Sequence, residues 1–466
     1  MKTENNEYMT IAIMNDVNII ILRHETNSLE IYSHDITEYN CIEKIIVQCR
    51  KYNVHNLWIT PFTNLTMLFN PSFIKTTEGY KTYGVLTKDD DTNYIKFLRA
   101  TKNDGISNIA ITIPQFNYLW SFGNYDFIST NDLTIMLVLL RATLGIPIFN
   151  SPTYIGIKLL EHLTHNHNKQ WLRSCDINWN DIPTANDLVW KCQEKIKSKK
   201  YLHAFDKNGS YLAVYESAML GSGIPTKYEN IVFEPKFIGV WNVTISGTSK
   251  YDDKLLPCPY DNTGTTMKLW TPQIKAVLKL GYSVEVHDAL IWHETHYIFR
   301  RWAELIRDIR KELKIESQNN TELGYLMAYE CIKNIYTKMG GRLGHRNENK
   351  FKDREGNNAK DVYQRIDWYS LVISEAFFRV LLTVDKFVNL NHLPIMIVND
   401  CLYYLSNEKN YKLAVPNLTD NENELGGYKL KYSIEYNKVR KLFDSNSHPN
   451  DIAEHLNNLQ RSGETF

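Results

Sequence analysis

One stretch near the C-terminal end, LPIMIVNDCLYYLS (Leu393–Ser406), limits the fold more than any other: two apolar runs abut at Asn399-Asp400. Asn and Asp tolerate the positive φ that a two-residue hairpin turn demands. The segment therefore predicts two buried strands joined by a tight turn, with the Asp400 carboxylate at its tip. A hairpin needs nothing more, so Asp400 alone suits a structural turn as well as a chemical site.

A second acid has a similar setting. In YLHAFDKNGSYLAVYESAML (Tyr201–Leu220) a short apolar approach ends at Asp206, and a helical run starts near Tyr211. Gly209 permits a sharp bend and Ser210 is a good N-cap. A carboxylate at a strand end, beside a helix start, is well placed to hold a metal; an ordinary turn acid is the alternative. Between the two acids lie two helices. Phe299–Lys314 has an apolar stripe of Phe299, Trp302, Ile306, Ile309 and Leu313, with Arg300, Arg307, Arg310, Lys311 and Lys314 around it. About Glu322–Gly340, Lys333 and Thr337 stand one turn apart and Gly341 continues their face. Solvated charged faces account for both helices equally well.

Composition narrows the classes. The 466 residues suffice for two to four domains. Lys and Arg (53) equal Asp and Glu (53), so the chain is not a uniformly basic nucleic-acid coat protein. A local basic channel remains compatible, because steering depends on where charge sits. No apolar run is long enough for a membrane span, and the polar start, Met1–Met9, shows no secretory signal. The seven cysteines (Cys41, Cys49, Cys175, Cys192, Cys258, Cys331, Cys401) form no CxxC. They read as reduced thiols of a cytoplasmic protein.

The first sixty residues predict strands over Met9–Met14, Val17–Arg23 and Ser28–Ser33, an amphipathic helix over Cys41–Tyr52 and a strand over Asn56–Thr60. This β-β-β-α-β order is that of an RNase H-like domain, and of other α/β folds too. Leu133–Leu144 predicts an apolar helix, and the Lys-rich Lys191–Lys200 a linker. Other groupings carry less. His162, His165 and His167 with Cys175 suit a polar surface. Strand alternation splits His287, Asp288, His293, Glu294 and His296 between two faces. Gly221-Ser222-Gly223 lacks the context and Lys of a phosphate loop and reads as a turn. His345–Arg354 is either a DNA-contacting insertion or a solvated loop.

Taken together, these segments resemble the motifs of the family B DNA polymerases in order and spacing. The first palm motif, aspartate then serine then tyrosine, is matched by Asp206, Ser210 and Tyr211, with the serine shifted by one place. The fingers motif Lys-x-x-x-Asn-x-x-Tyr-Gly corresponds to Lys333, Thr337, Gly340 and Gly341. The third motif, Asp-Thr-Asp-Ser, reads Val398-Asn399-Asp400-Cys401, and Phe299–Lys314 stands for the basic fingers helix, with Arg310 foremost. A basic turn survives as Gly427-Tyr428-Lys429-Leu430-Lys431. Val398 replaces one family aspartate, and Thr337 and Gly340 replace the asparagine and tyrosine of the fingers. The compact length looks like protein-primed polymerases of phages and linear plasmids, or plasmid-encoded polymerase-like replication proteins.

The resemblance implies an α/β and α+β multidomain chain: an RNase H-like, exonuclease-like domain over 1–190, palm over 191–298 and 346–410, fingers over 299–345, and a small thumb or tail over 411–466. It implies a DNA-directed DNA polymerase using two Mg²⁺ (or Mn²⁺) ions held by Asp206 and Asp400. Lys333 and Arg310 would hold the nucleotide phosphates, Tyr211 would lie under the sugar, Thr337 would line the nucleotide site, and Lys429 and Lys431 would touch DNA. Partners are template and primer DNA, dNTPs, and a terminal protein or other replication protein. The Asp-x-Glu pair of proofreading enzymes is missing from MTIAIMND, so the first domain is expected to lack proofreading. Two other readings stay open: a catalytically degenerate DNA-binding or replication-initiation protein, and a nuclease acting through the first domain. The missing first-strand carboxylates count against the nuclease.

Overall fold

A computed structural model describes the backbone of residues 7–14, 19–24, 28–32, 54–59, 80–89, 92–102 and 108–112. It describes the chain more fully over 128–146, 148, 152–164, 181–185, 188–192, 199–251, 260, 264–344, 364–445 and 447–465. The elements divide between two units, Met1–His167 with Glu304–Met339, and Asn168–Ala303 with Gly340–Phe466.

The first unit opens with β1 (Glu7–Met14), β2 (Ile19–His24), β3 (Ser28–Tyr32), β4 (Val54–Ile59), β5 (Tyr80–Asp89), β6 (Thr92–Lys102) and β7 (Asn108–Thr112). These strands form one sheet in the order β3-β2-β1-β4-β7-β6-β5. β4 runs parallel to β1, and β7 parallel to β4. The other neighbours are antiparallel. The strands expected from the sequence are present, displaced by a residue or two; the expected helix over Cys41–Tyr52, His165, His167, Cys175 and the basic stretch from His345 to Arg354 lie outside the described residues.

Two helices follow, α1 (Thr130–Leu144) and α2 (Pro152–Leu163). Ser129 and Asp132 form a capping box at the start of α1, and Gly145 ends it in the left-handed conformation, φ 66°.

The second unit begins with β8 (Val189–Lys191), β9 (Tyr201–Lys207), α3 (Ser210–Ser217), β10 (Leu220–Gly221), β11 (Thr226–Glu229), β12 (Ile238–Ser246), β13 (Thr266–Trp270), α4 (Thr271–Lys279), β14 (Ser283–Trp292) and β15 (Thr295–His296). Next along the chain come α5 (Arg300–Asn319) and α6 (Leu323–Leu343), both mostly in the first unit, and then, in the second, α7 (Ile366–Val388), β16 (Met396–Val398), β17 (Cys401–Ser406), α8 (Tyr411–Ala414), β18 (Tyr428–Glu435), α9 (Tyr436–Asp444) and α10 (Pro449–Arg461). No helix among the described residues is long and apolar enough to cross a membrane.

In the first unit α6 starts against α1. The Gly324 amide donates to Asp132 Oδ1 at 3.1 Å, and a Cβ on Gly324 would lie 2.4 Å from the Asp132 carbonyl oxygen. In the second unit the central sheet is β18-β9-β17-β16-β8, and a separate sheet runs β11-β14-β12-β13. One face of the central sheet buries Leu202, Ala204, Met396, Cys401, Tyr403, Tyr432 and Ile434 against Tyr436 and Val439 of α9 and Ile452 and Leu456 of α10. Alternate residues along each strand supply this set, as a half-covered sheet requires. Lys191, expected to begin a linker, is instead the last residue of β8. Its ammonium donates to the carbonyls of Phe443, Ser445 and Ser447 at 3.4, 2.7 and 3.4 Å, where α9 ends.

The start of α7 is pinned by a buried ion pair. Arg365 donates to both carboxylate oxygens of Asp367, at 2.9 and 2.6 Å, and to the Gly221 carbonyl at 3.0 Å. Trp368 Nε1 donates to the same carbonyl at 2.8 Å, and the guanidinium lies 3.5 Å from the Trp368 ring centroid. A Cβ on Gly221 would meet Trp292 at 2.3 Å, so the strand end carrying that carbonyl requires glycine. Removing one partner of such a pair strands the other charge, at a cost of about 3–5 kcal/mol. Asp367→Ala is therefore expected to lower the unfolding free energy measured by denaturant titration by an amount in that range. A loss below about 1 kcal/mol, the size of an exposed pair, would show that the pair does not hold this corner.

Candidate active site

The two acids meet because three strands end in register. β17 pairs antiparallel with β9, Leu402 opposite Phe205. β18 pairs with the other edge of β9, Lys429 opposite Asp206. Asp206 and the corner before Cys401 therefore share one end of the sheet. That corner is the two-residue turn the sequence predicts: Val398 pairs with Cys401, and Asn399 takes φ 54°. The Asn399 amide donates to the Leu188 carbonyl at 2.7 Å, tying the turn to the chain before β8.

Asp206 leads into α3 through Asn208 and Gly209. Gly209, at φ 57°, is the N-cap, and Ser210 is the first helical residue instead of the cap. A left-handed corner suits glycine, and it moves the helix start one residue along. The Asn208 amide donates to the Gly427 carbonyl at 2.8 Å, and the Gly426 amide to the Asn208 carbonyl at 2.7 Å. The corner after β9 and the approach to β18 are thereby fixed to each other.

Asp400 is half-buried. Burial first, and the like charge of Asp206 second, push its pKa up to about 6; Lys207 and Lys431 oppose the rise. The last two residues of β9 face opposite ways. Asp206 shares the side of Ala204, and Lys207 the side of His203 and Phe205. Lys207 is buried, which brings its pKa down to about 8; Arg379 lowers it further, while Asp400 and Glu375 raise it. Next door, burial pushes the Cys401 thiol up to about 12.

Lys429 is exposed, at the register position of Asp206. A bulge between Leu430 and Tyr432 makes Lys431 the extra residue of β18. Bulges re-aim side chains, and here the Lys431 charge acts on Asp400. Tyr211 is half-buried in the first turn of α3. Tyr215, one turn on, is buried against Phe299 and Trp302, ring centroids 4.9 and 5.6 Å apart. Val398, the last residue of β16, packs against the apolar cluster of α9 and α10.

Arg310, Lys333 and Thr337 belong to the first unit. The Arg310 guanidinium lies 5.9 and 5.7 Å from the ring centroids of Tyr329 and Tyr336. Lys333 and Thr337 are exposed on α6, and the Thr337 hydroxyl donates to the Lys333 carbonyl at 2.8 Å. Thus Asp206, Asp400, Lys429 and Lys431 share one sheet end, with Tyr211 in the adjoining helix. Three charged neighbours escaped the sequence reading: Lys207, and Glu375 and Arg379 on α7, which pair at 2.9 Å. Period-two alternation from Phe205 was the available signal for Lys207.

The donor set suits a divalent cation. Two carboxylates repel across a short gap, and a cation between them relieves that repulsion, carboxylate and phosphate oxygens being the ligands Mg²⁺ prefers. Among the described residues no group of three or more His, Cys, Asp and Glu offers a different metal centre. His287 and Asp288 bind within their sheet, to Thr244 and Asn242 at 2.8 Å each, and His293 bonds Tyr228 at 2.8 Å.

No family model and no curated protein sequence matches the chain. Its fold does match solved structures. Phi29 DNA polymerase complexed with primer-template DNA superposes with a TM-score of 0.56 at 9% identity, over 92% of this chain and 85% of that one. The ternary complex of the same polymerase with incoming nucleotide gives 0.54 at 11% identity over the same shares. The mixed α/β chain thus has the fold of phi29 DNA polymerase.

Strained acids report themselves in stability. Asp400 holds its proton more tightly in the folded chain than in the unfolded one, where its pKa is the ordinary 3.8. Protonation therefore favours the fold. The penalty for ionisation is absent below about pH 4, grows through about pH 6 and is complete above it. Asp400→Asn removes that penalty. In chelator we expect it to stabilise the protein by about 3 kcal/mol at pH 8 and roughly half of that at pH 5. A variant no more stable than the parent at pH 8 would mean the two carboxylates are not strained.

Proposed function

We propose that the protein is a DNA-directed DNA polymerase of a phage or other mobile element, related to family B, acting in the cytoplasm. One observation carries this reading: two carboxylates, Asp206 and Asp400, held at one end of adjacent strands, in a chain with the fold of phi29 DNA polymerase. Nucleotidyl transfer requires alignment and charge neutralisation more than covalent chemistry. Asp206 and Asp400 would hold two divalent cations, whose charge would activate the attacking 3′-oxygen and stabilise the leaving oxygen. Tyr211 lies under the incoming sugar and excludes a 2′-hydroxyl. Lys333 and Arg310 bind the nucleotide phosphates, Thr337 lines the nucleotide site, and Lys429 and Lys431 meet the DNA backbone.

The first unit supports an RNase H-like domain. Its order β3-β2-β1-β4, with β4 parallel to β1, is the order of that fold. In β1 no Asp-x-Glu pair occurs, so extension without proofreading is expected. The second reading, a degenerate DNA-binding or replication-initiation protein, is favoured by Val398, an apolar side chain at an acidic position of the family motif.

Primer extension with Mg²⁺ or Mn²⁺ separates the two. The parent chain is expected to extend a primer, and Asp400→Asn to reduce the rate by at least about a thousandfold while DNA affinity stays within about threefold. That affinity rests on Lys and Arg contacts to phosphate and falls steeply with salt. Salt-dependent binding without extension by the parent chain would establish the binding protein instead. Lys333→Ala is expected to raise the apparent KM for dNTP about tenfold or more, the loss of one charged phosphate contact. Unchanged incorporation kinetics would remove Lys333 from the site.

A further inference from the structure

Lys207 is 8% exposed, and a lysine this enclosed is ordinarily ion-paired. Its ammonium makes no hydrogen bond or ion pair with any described residue. It lies 5.5 Å from the centroid of the Tyr428 ring, its register partner on β18. Two hydroxyls on the same sheet face, those of Tyr404 and Tyr428, are also buried without a partner among the described residues. Burying an uncompensated ammonium is costly, and the groups acting on this one are Arg379, Asp400 and Glu375. Arg379 and Glu375 neutralise each other through their own ion pair. What remains is Asp400, in the turn that leads into β17, the strand paired with β9 at the end where Lys207 lies; its carboxylate also feels Asp206 and Lys431.

These charges close to zero: Asp206 and Asp400 are negative, Lys207 and Lys431 positive. A site of two carboxylates alone would attract a divalent cation at any time; with two cationic neighbours the attraction is cancelled until another anion arrives. We propose that Lys207 is an internal counter-charge that, with Lys431, keeps the cation affinity of the ligand-free site low, so that divalent cations bind together with a polyphosphate ligand. Lys207 acts through the carboxylates and touches no substrate, which makes it a positioning residue. The inference rests on the polymerase reading for its ligand, a nucleoside triphosphate, but not for its test.

The test is Mn²⁺ titration of the full chain at pH 7, with free Mn²⁺ followed by electron paramagnetic resonance, with and without dATP. The parent protein is expected to bind Mn²⁺ weakly alone and more tightly with dATP. Lys207→Met, which removes a buried charge and no hydrogen bond to any described residue, should keep or raise the melting temperature. It should also bind Mn²⁺ about tenfold or more tightly without dATP, since one nearby unit charge acts on a divalent ion. Lys431→Met, at a more exposed position, should shift affinity the same way by a smaller factor, and it carries the test if Lys207→Met does not fold. Unchanged or weaker Mn²⁺ binding in these variants would overturn the proposal. So would Mn²⁺ binding to Lys207→Met that survives the added Asp206→Asn and Asp400→Asn changes. A parent chain that fails to extend primers while Lys207→Met tightens Mn²⁺ would sink the polymerase reading and leave this one standing.

Discussion

Two like charges held close at the end of a sheet are the constraint around which the second unit is arranged. Left alone, Asp206 and Asp400 would swing apart, or one would take up a proton. Their backbones are denied that freedom: β9 is hydrogen-bonded on both edges, by β17 and by β18. The corner after Asp206 is bonded to the Gly426-Gly427 segment, and the corner before Cys401 to Leu188. The stability spent on this repulsion is recovered in the apolar layer beneath, where α9 and α10 cover the same sheet. Charge preorganised in this way does not have to be rearranged when a charged ligand arrives.

The anchors around the sheet are of a different kind. Ionic and amide groups tie the ends of elements: Lys191 at the end of α9, Arg365 and Asp367 at the start of α7. Asp385 on α7 accepts from Lys250 at 2.5 Å and from the Tyr251 hydroxyl at 2.6 Å, joining α7 to the segment after β12. Such contacts fix where elements begin and end, whereas the apolar layers fix which faces meet.

How much of this could be read in advance depended on whether the signal was local. The Asn399-Asp400 turn was legible, because two apolar runs and a pair tolerant of positive φ leave few alternatives. So was Asp206 at a strand end, since Gly209 announces the corner. The helix cap was misjudged by one residue: Ser210 has the better capping side chain, but only Gly209 accepts the left-handed backbone cheaply. Lys191 read as part of a charged linker because its partners lie over 250 positions away. Arg379 and Glu375 sit on an apolar helix whose orientation no periodicity could relate to Asp400. Lys207 was in plain view, one residue from a candidate ligand, yet burial of a lysine is a property of the folded neighbourhood.

Val398 carries a consequence for any change to the charge of the site. Its half-buried side chain packs against the layer formed with α9 and α10, opposite Cys401, which is itself buried. An acid there would set a third carboxylate partly against hydrocarbon, at a desolvation cost. Lys429 is exposed and Lys431 half-buried, so the charge of this sheet end is adjusted more readily at those positions than at position 398.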